Sequence, residues 1–266
     1  MMMGSAGGSV WPIWSGDHTY VLQNLILKDF KVRYRNMSLG VFWSPLNPLV
    51  MLGVLWFVFT KIFPNNTIHN FPVFVLCGLV TYNFFKLGWT DGTTAHVDNA
   101  GLIKRVPVPL EIVPIAGVLS QSIRIGIQVC LLPFFVIVSA KPINLYWLLL
   151  PVLWFFEIIF VCGLALLCAA LNVYIRDMRY FVESVNTIIF WLVPIFYPFA
   201  MILQDFREIY QFNPVAALVL ATRNILLDGI APPETLLIKL AFSSLCIFGA
   251  KLAIFYTLKP RFYNYL

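Results

Sequence analysis

Charge is the scarce ingredient of this chain: Asp, Glu, Lys and Arg make up 11% of its 266 residues, against about 25% in soluble domains. Hydrophobic residues make up 60%, and the mean hydropathy is +0.84. Too little polar surface is left to face water on every side, which excludes a soluble domain. Catalytic signatures are missing as well. No G-x-x-x-x-G-K-[ST] loop is present, so the chain lacks the usual means of hydrolysing ATP. His18, His69 and His96 stand far apart, none in H-E-x-x-H, and no Ser or Cys carries a nucleophile signature. Cys77, Cys130, Cys162, Cys168 and Cys246 show no metal-ligand spacing and fall inside apolar stretches, where they read as small buried hydrophobes. Residues 1–20 offer neither a basic start nor an apolar run. No cleaved signal is expected there, and the first apolar block serves as the insertion signal.

What the chain has in quantity is apolar sequence, gathered in blocks. A hydrocarbon core about 30 Å thick takes roughly 20 apolar residues of helix. Six blocks of that size lie at 42–62, 72–90, 111–139, 146–172, 184–203 and 236–258. The expected fold is therefore an all-α membrane protein with six transmembrane helices. These runs are continuous, whereas barrel strands alternate apolar and polar residues over about ten positions, so a β-barrel is disfavoured. With the N-terminus inside, the inner flanks hold ten basic residues: Lys28, Lys31, Arg33, Arg35, Lys104, Arg105, Arg176, Arg179, Lys259 and Arg261. The outer flanks hold five: Lys61, Lys141, Arg207, Arg223 and Lys239. That asymmetry puts both termini in the cytoplasm. The net charge of +6 suits contact with the anionic lipids of the inner leaflet and calls for no nucleic acid.

Four segments are not spans. Over residues 19–36, Leu22, Ile26, Phe30 and Tyr34 form one helical stripe, with Asn24, Lys28, Lys31 and Arg35 nearly opposite. Such a helix lies in the membrane interface, apolar side down, unless the segment is only a basic flank that fixes topology. Between the fifth and sixth blocks, Asn213 is placed to cap a helix whose first residue is Pro214 and whose stop lies near Gly229. About 14 residues of helix reach about 21 Å, too short to cross, so this piece is expected to be re-entrant or to lie at the outer surface, as a gate or a connector. In the loop DNAGLIKRVPVPLEIVP, Asp98 or Asn99 is placed to cap a short helix, and Pro107 and Pro109 force extended backbone after it. The next inner turn brings Arg176, Asp177 and Arg179 close together. Both inner loops suit short docking helices or plain tight turns. The chain thus divides into a flexible stretch 1–18, a cytoplasmic interface helix within 19–37 and a transmembrane domain over 38–266.

Ionisable groups within a bilayer are costly and mark function or pairing. Arg124 lies about 13 residues into the third span and Glu157 about 11 into the fourth, which puts both near mid-membrane on consecutive antiparallel helices. An ion pair is predicted, or at least two groups turned inward, either structural or lining a polar path.

Several strings carry a resemblance. Lys31-Val32-Arg33-Tyr34-Arg35, then Ser38-Leu39-Gly40-Val41-Phe42-Trp43 and Leu46-Asn47-Pro48-Leu49, resemble the start of ABC-2 type permeases, and more narrowly their polysaccharide-exporting branch. Asn99 through Ile103-Lys104 with Pro109 and Glu111-Ile112 follows, then Leu171-Asn172-Val173 with Arg176-Asp177, then Asn213-Pro214. Together they cover roughly residues 20–260, and their order and spacing are more specific than any one motif. Pro45 and Leu110 depart from the pattern, which lacks a proline at the first position and often has Arg at the second.

The resemblance implies a homodimeric permease bound to two copies of a separate ATPase subunit. ATP and magnesium then belong to that partner, and no cofactor is expected in this chain. Its cargo would be a glycan on a polyprenyl pyrophosphate, O-antigen being the first expectation, with capsule and teichoic acid also open. The chain would sit in the bacterial inner membrane. Lys31, Arg33 and Arg35 would meet the pyrophosphate, Arg being suited to bidentate phosphate binding. Asn99, Leu102, Ile103, Lys104, Arg105, Arg176 and Asp177 would couple to the ATPase. The 204–230 segment would be an external gate. Trp43, Tyr82, Phe84, Phe85 and Tyr197 would stack on sugar faces along a channel, or else belong to ordinary interfacial belts. Other readings stay open on the residues alone: an ABC-2 permease for drugs or lipids, an ion-coupled secondary transporter, or a membrane enzyme of lipid-linked sugars. A secondary transporter would show repeats and several intramembrane carboxylates; no clear repeat appears, and Glu157 alone lies deep in a span.

Overall fold

The structure is a computed structural model and describes residues 17–35, 40–62, 70–106, 108–138, 144–259 and 262. The stretch expected to be flexible, 1–18, lies almost wholly outside the described residues, as do His69, Pro107, Lys141 and Arg261. The described residues form eleven α-helices and no strand: α1 (His18–Tyr34), α2 (Trp43–Phe57), α3 (Phe71–Asp98), α4 (Ala100–Ile103), α5 (Ile112–Val129), α6 (Leu131–Val138), α7 (Leu150–Tyr174), α8 (Met178–Leu192), α9 (Gln204–Phe212), α10 (Pro214–Arg223) and α11 (Glu234–Leu258).

Five helical stretches are long and apolar enough to cross a membrane: Gly40–Ile62, Phe71–Asp98, Ile112–Val138, Leu145–Tyr174 and Glu234–Leu258. They coincide with five of the six apolar blocks. The remaining block, 184–203, behaves differently. Helix α8 starts earlier, at Met178, and stops at Leu192 after 15 residues, about 22 Å. The residue before a proline is pushed out of helical backbone. Val193 accordingly turns extended (ψ 134°) ahead of Pro194, and Pro198 keeps the following segment irregular.

Helix α3 is central, with α2, α5, α7, α8 and α10 all packed on it. Small residues allow the closest approaches, as membrane helix pairs favour. A Cβ built on Gly92 would lie 2.4 Å from the Ala165 Cβ, and one on Gly163 would lie 2.8 Å from the Phe248 Cα. Those two contacts set the α3–α7 and α7–α11 seams. Aromatic rings fill the space beside them: Phe85 stacks on Phe160 with centroids 5.9 Å apart, and Phe84 packs on Trp154. Cys77, Cys162 and Cys168 are buried as expected, but Cys130 and Cys246 are exposed. Cys130 sits at the break between α5 and α6, its thiol 3.3 Å from the Gly126 carbonyl, and Cys246 lies on the outward face of α11.

A second apolar cluster closes the end of the bundle expected to face inward, where Leu25, Ile103, Leu110, Phe255 and Phe262 pack together. The buried His96 ring joins it, with Nε2 2.9 Å from the Leu110 carbonyl oxygen. Leu110 is 1% exposed, so an arginine there would bury its charge. Pro45 stands in the first turn of α2, where a missing N–H leaves no bond unmade. Both departures from the family pattern therefore have a local account.

The outer hairpin forms largely as its sequence indicates. The Asn213 side chain accepts the Val215 N–H at 3.1 Å, Pro214 is the first helical residue, and Gly229 (φ +69°) ends the element. With its wide last turn, Asn224–Asp228, the helix is about 22 Å long. It is buried against α3, α7 and α11 rather than laid on the outer surface.

Helix α1 begins at Asp17, whose carboxylate accepts the Thr19 N–H at 2.8 Å. Its apolar stripe faces α5, and Leu25 is buried with Val21, Leu22 and Ile26 beside it. The stripe expected to lie on lipid is thus turned against the protein, while Leu27 and Val32 remain exposed. Four-residue spacing identifies an apolar stripe; what covers it is decided by the neighbouring helices.

Candidate functional site: the polar face of α3

The path from sequence to site starts with one helix. Between Phe71 and His96 every residue of α3 is buried or half-buried except Lys86, which is exposed. Asn83, Lys86, Thr90 and Thr94 recur at intervals of three and four, so they share one face of the helix. Depth follows from packing: Gly88 meets Val161, close to the middle of the 30-residue apolar stretch Leu145–Tyr174. An exposed ammonium at that level does not tolerate lipid. This face must look onto water or polar matter.

Two openings lie along it. The first is a groove of about 300 Å³ between α2, α3 and α8, whose polar lining is Asn47, Asn83, Lys86, Thr187 and Tyr82. The Tyr82 hydroxyl donates to the Asn186 carbonyl, and the Asn186 amide donates to Thr90 Oγ1 at 3.3 Å, which ties α8 to α3. The second is a cleft of about 400 Å³ nearer the inner end, between α1, α3 and α5. Lys28, Asp29, Arg33, Asp91 and Asp98 bring its charge, and Asn99 adds an amide. Arg33 donates to the Asp91 carboxylate, as does the Gln121 amide, and Lys28 donates to Asn99 Oδ1. Burial raises the Asp29 carboxyl above its ordinary range, with Asp91 pushing the same way and Lys28 and Arg33 opposing.

Of the three basic residues expected to meet an anion, Arg33 alone reaches the cleft, and Asp91 already holds it there. Lys31 and Arg35 are exposed outside it. Lys28, which the sequence reading gave no site role, lies inside it. Among the residues expected to couple to a partner, Lys104, Arg105, Arg176 and Asp177 are exposed, Leu102 is half-buried, and Asn99 and Ile103 are buried. Asn99 stands before α4 but does not cap it. Its amide donates to the Ala95 carbonyl at 2.9 Å, and its oxygen takes Lys28.

The aromatic expectation changes most. Tyr82, Phe84 and Phe85 are 3%, 0% and 1% exposed and pack in the core, with Tyr82 also lining the first groove. Trp43 is exposed near the start of α2, and Tyr197 is half-buried with its hydroxyl donating to the Leu192 carbonyl at 2.7 Å. The predicted Arg124–Glu157 pair is not formed. Among the described residues neither Glu157 carboxylate oxygen nor Arg124 Nε has a hydrogen-bond partner. The two residues stand on different faces. On α5 the row toward α7 is Ser122, Ile125 and Val129, while Arg124 falls in the row of Gln121 and Gln128, which reaches Asp91 and the Ser44 carbonyl.

A charged residue to which the sequence reading gave no site role lies at the opposite end of the bundle. Arg223 is 4% exposed, and its guanidinium donates to the carbonyls of Pro194 (2.5 Å), Ile195 (2.5 Å) and Phe74 (3.2 Å). Its Cζ stands 3.4 Å over the Phe74 ring. It joins α10, the break after α8 and the outer end of α3. Its only sequence signal was a basic residue inside an otherwise apolar helix.

A bundle with five helices long and apolar enough to cross a membrane defines a multi-pass membrane protein. Residues 20–227 match the family described as ABC-2 type transporter. The chain is 30% identical over 236 residues to the O-antigen export system permease protein RfbA of Klebsiella pneumoniae, covering 88% of this chain and 90% of that protein. It is 26% identical over 244 residues to the protein of that name from Myxococcus xanthus (91% and 94% covered), and 24% identical over 248 residues to the polysialic acid transport protein KpsM of Escherichia coli (89% and 92%). The chain belongs to the ABC-2 type transporter family and is a membrane subunit of that kind, without catalytic function of its own.

Proposed function

We propose that this chain is the permease of an ATP-driven exporter that carries a polyprenyl-pyrophosphate-linked polysaccharide, O-antigen first, across the bacterial inner membrane. Two copies form the path, and two copies of a separate ATPase, which binds ATP and magnesium, drive it. Helix α8 with the irregular segment after it makes the sixth crossing, and both termini are cytoplasmic. The observation that carries the reading is the half-buried polar strip of α3 around the exposed Lys86, level with the middle of the apolar stretch Leu145–Tyr174, which a glycan can follow by exchanging hydroxyl hydrogen bonds. The curated relatives, named for O-antigen export and polysialic acid transport, support the cargo class.

In this reading the lipid-linked chain enters at the cleft beneath α1. Its pyrophosphate exchanges with Asp91 for Arg33, since a guanidinium binds phosphate through two parallel bonds. The exposed Lys104, Arg105, Arg176 and Asp177 contact the ATPase, and movement passes to the entrance through the Lys28–Asn99 bond. Native mass measurement of the chain purified from its own host is expected to give two permeases with two Walker-motif ATPases. A lone protomer or a homodimer, under conditions that preserve other ABC complexes, would refute the assembly.

A further inference from the structure

Lys86 is the only exposed residue of α3 from Phe71 to His96, and it stands in a groove whose other polar groups are uncharged. Asn47 and Asn83 offer amides and Thr187 a hydroxyl, while Leu79, Met51 and Phe190 wall the groove. No acidic side chain is among the groove's lining residues, and among the described residues nothing accepts a bond from the Lys86 ammonium. The contrast with the inner cleft is direct, because there each cation has an oxygen partner: Arg33 has Asp91, and Lys28 has Asn99. The contrast with α11 is equally clear. Its exposed residues include Ile238, Phe242 and Leu245, an apolar set suited to lipid. A lysine kept unpaired at mid-depth, beside amides and a hydroxyl, has the makings of an anion site with hydroxyl recognition around it.

We infer that Lys86, with Asn47, Asn83 and Thr187, is a mid-membrane binding station for an anionic group of the cargo, a phosphate or carboxylate flanked by sugar hydroxyls. The inference rests on the reading that cargo passes along the α3 face, and it adds a requirement on cargo chemistry. Lys86 supplies the charge, and the neutral groups hold adjacent hydroxyls. In a homodimer with a shared path, two such ammoniums face the same chain. Two sources fit this chemistry: the pyrophosphate of the lipid carrier, or acidic groups repeated along the glycan.

The test uses the full permease–ATPase complex in its host and reads the initial rate of surface glycan appearance, with expression matched. Lys86→Arg is expected to stay within about twofold of the parent, Lys86→Met to fall about tenfold, and Lys86→Glu to export nothing measurable. Lys86→Met exporting at the parental rate overturns the inference. A separate arm tests the path itself. In a background with Cys130 and Cys246 replaced by alanine, Thr187→Cys is expected to react with a membrane-impermeant sulfonate thiol reagent. No reaction would mean that the groove is closed to water, and the path reading fails with it. Where the thiol does react, inorganic pyrophosphate and an oligogalacturonate are tried as protectants, with maltoheptaose as the neutral control. Protection by pyrophosphate identifies the lipid head group as the ligand, and protection by oligogalacturonate identifies the chain carboxylates. Protection by neither overturns the anion station while leaving the path intact.

Discussion

Replacing Arg223 with methionine is expected to abolish surface glycan and to lower the thermal midpoint of the purified permease by roughly 10 °C. The guanidinium holds the carbonyls of Pro194 and Ile195 at 2.5 Å and that of Phe74 at 3.2 Å. Each buried acceptor left without its donor costs about 1–3 kcal/mol, so three set a loss of at least about 3 kcal/mol. The two short bonds go to the extended stretch after α8, where Pro194 has already removed a backbone donor. Without Arg223 nothing described replaces those donors, and the turn between α8 and the outer hairpin loses its shape. Arg223→Lys is expected to behave almost as badly, since a point ammonium cannot span three carbonyls and also lie flat on Phe74. A methionine variant with an unchanged midpoint and normal surface glycan would show that the clamp is dispensable.

Asp91→Ala is expected to cut export about tenfold with only a small change in stability. The Asp91 carboxylate receives both the Arg33 guanidinium and the Gln121 amide, and so joins α1, α3 and α5 at the inner cleft. The Arg33 and Asp91 side chains are 33% and 27% exposed, so water screens the pair and its contribution to folding is about 1 kcal/mol. Its larger effect is positional. Without Asp91, only Asp29 is left among the described residues to offset the repulsion between Arg33 and the half-buried Arg124, and the side-chain bonds that still hold α1 to its neighbours are Lys28 to Asn99 and Tyr34 with Ser44. The double variant Arg33→Asp with Asp91→Arg should regain the placement of α1 in hydrogen exchange but not export, because the phosphate-binding group has moved. Recovery of both would mean that Arg33 serves only as a strut.

These two residues also mark where the sequence was legible and where it was not. Five of the six apolar blocks appear as span-length helices because each needs only length and hydropathy. The outer hairpin was readable from Asn213, Pro214 and Gly229, three residues whose backbone preferences act locally. The break after α8 was also written locally, in Pro194 and Pro198, but block hydropathy averaged over it. Azimuth was harder. Counting along the spans expects Arg124 and Glu157 at one depth, yet they do not meet, and only the packing of α5 against α1, α2 and α7 decides which neighbours each has. The aromatic residues of α3 face its core because α7 and α8 cover that side, whereas Asn83, Lys86 and Thr90 were available as a polar stripe at helical spacing. Reading that stripe first would have pointed to the path. Asp91 and Arg223 act through partners 58 and 149 residues away, Arg33 and Phe74, and no local pattern announces such pairs.

The most direct test of the account is photo-crosslinking during export, with a photoreactive residue placed at Asn83 on the polar face of α3 or at Phe242 on the apolar face of α11. Glycan adducts are expected at position 83, and lipid adducts alone at position 242. Glycan captured at 242 but not at 83 would contradict a path along α3.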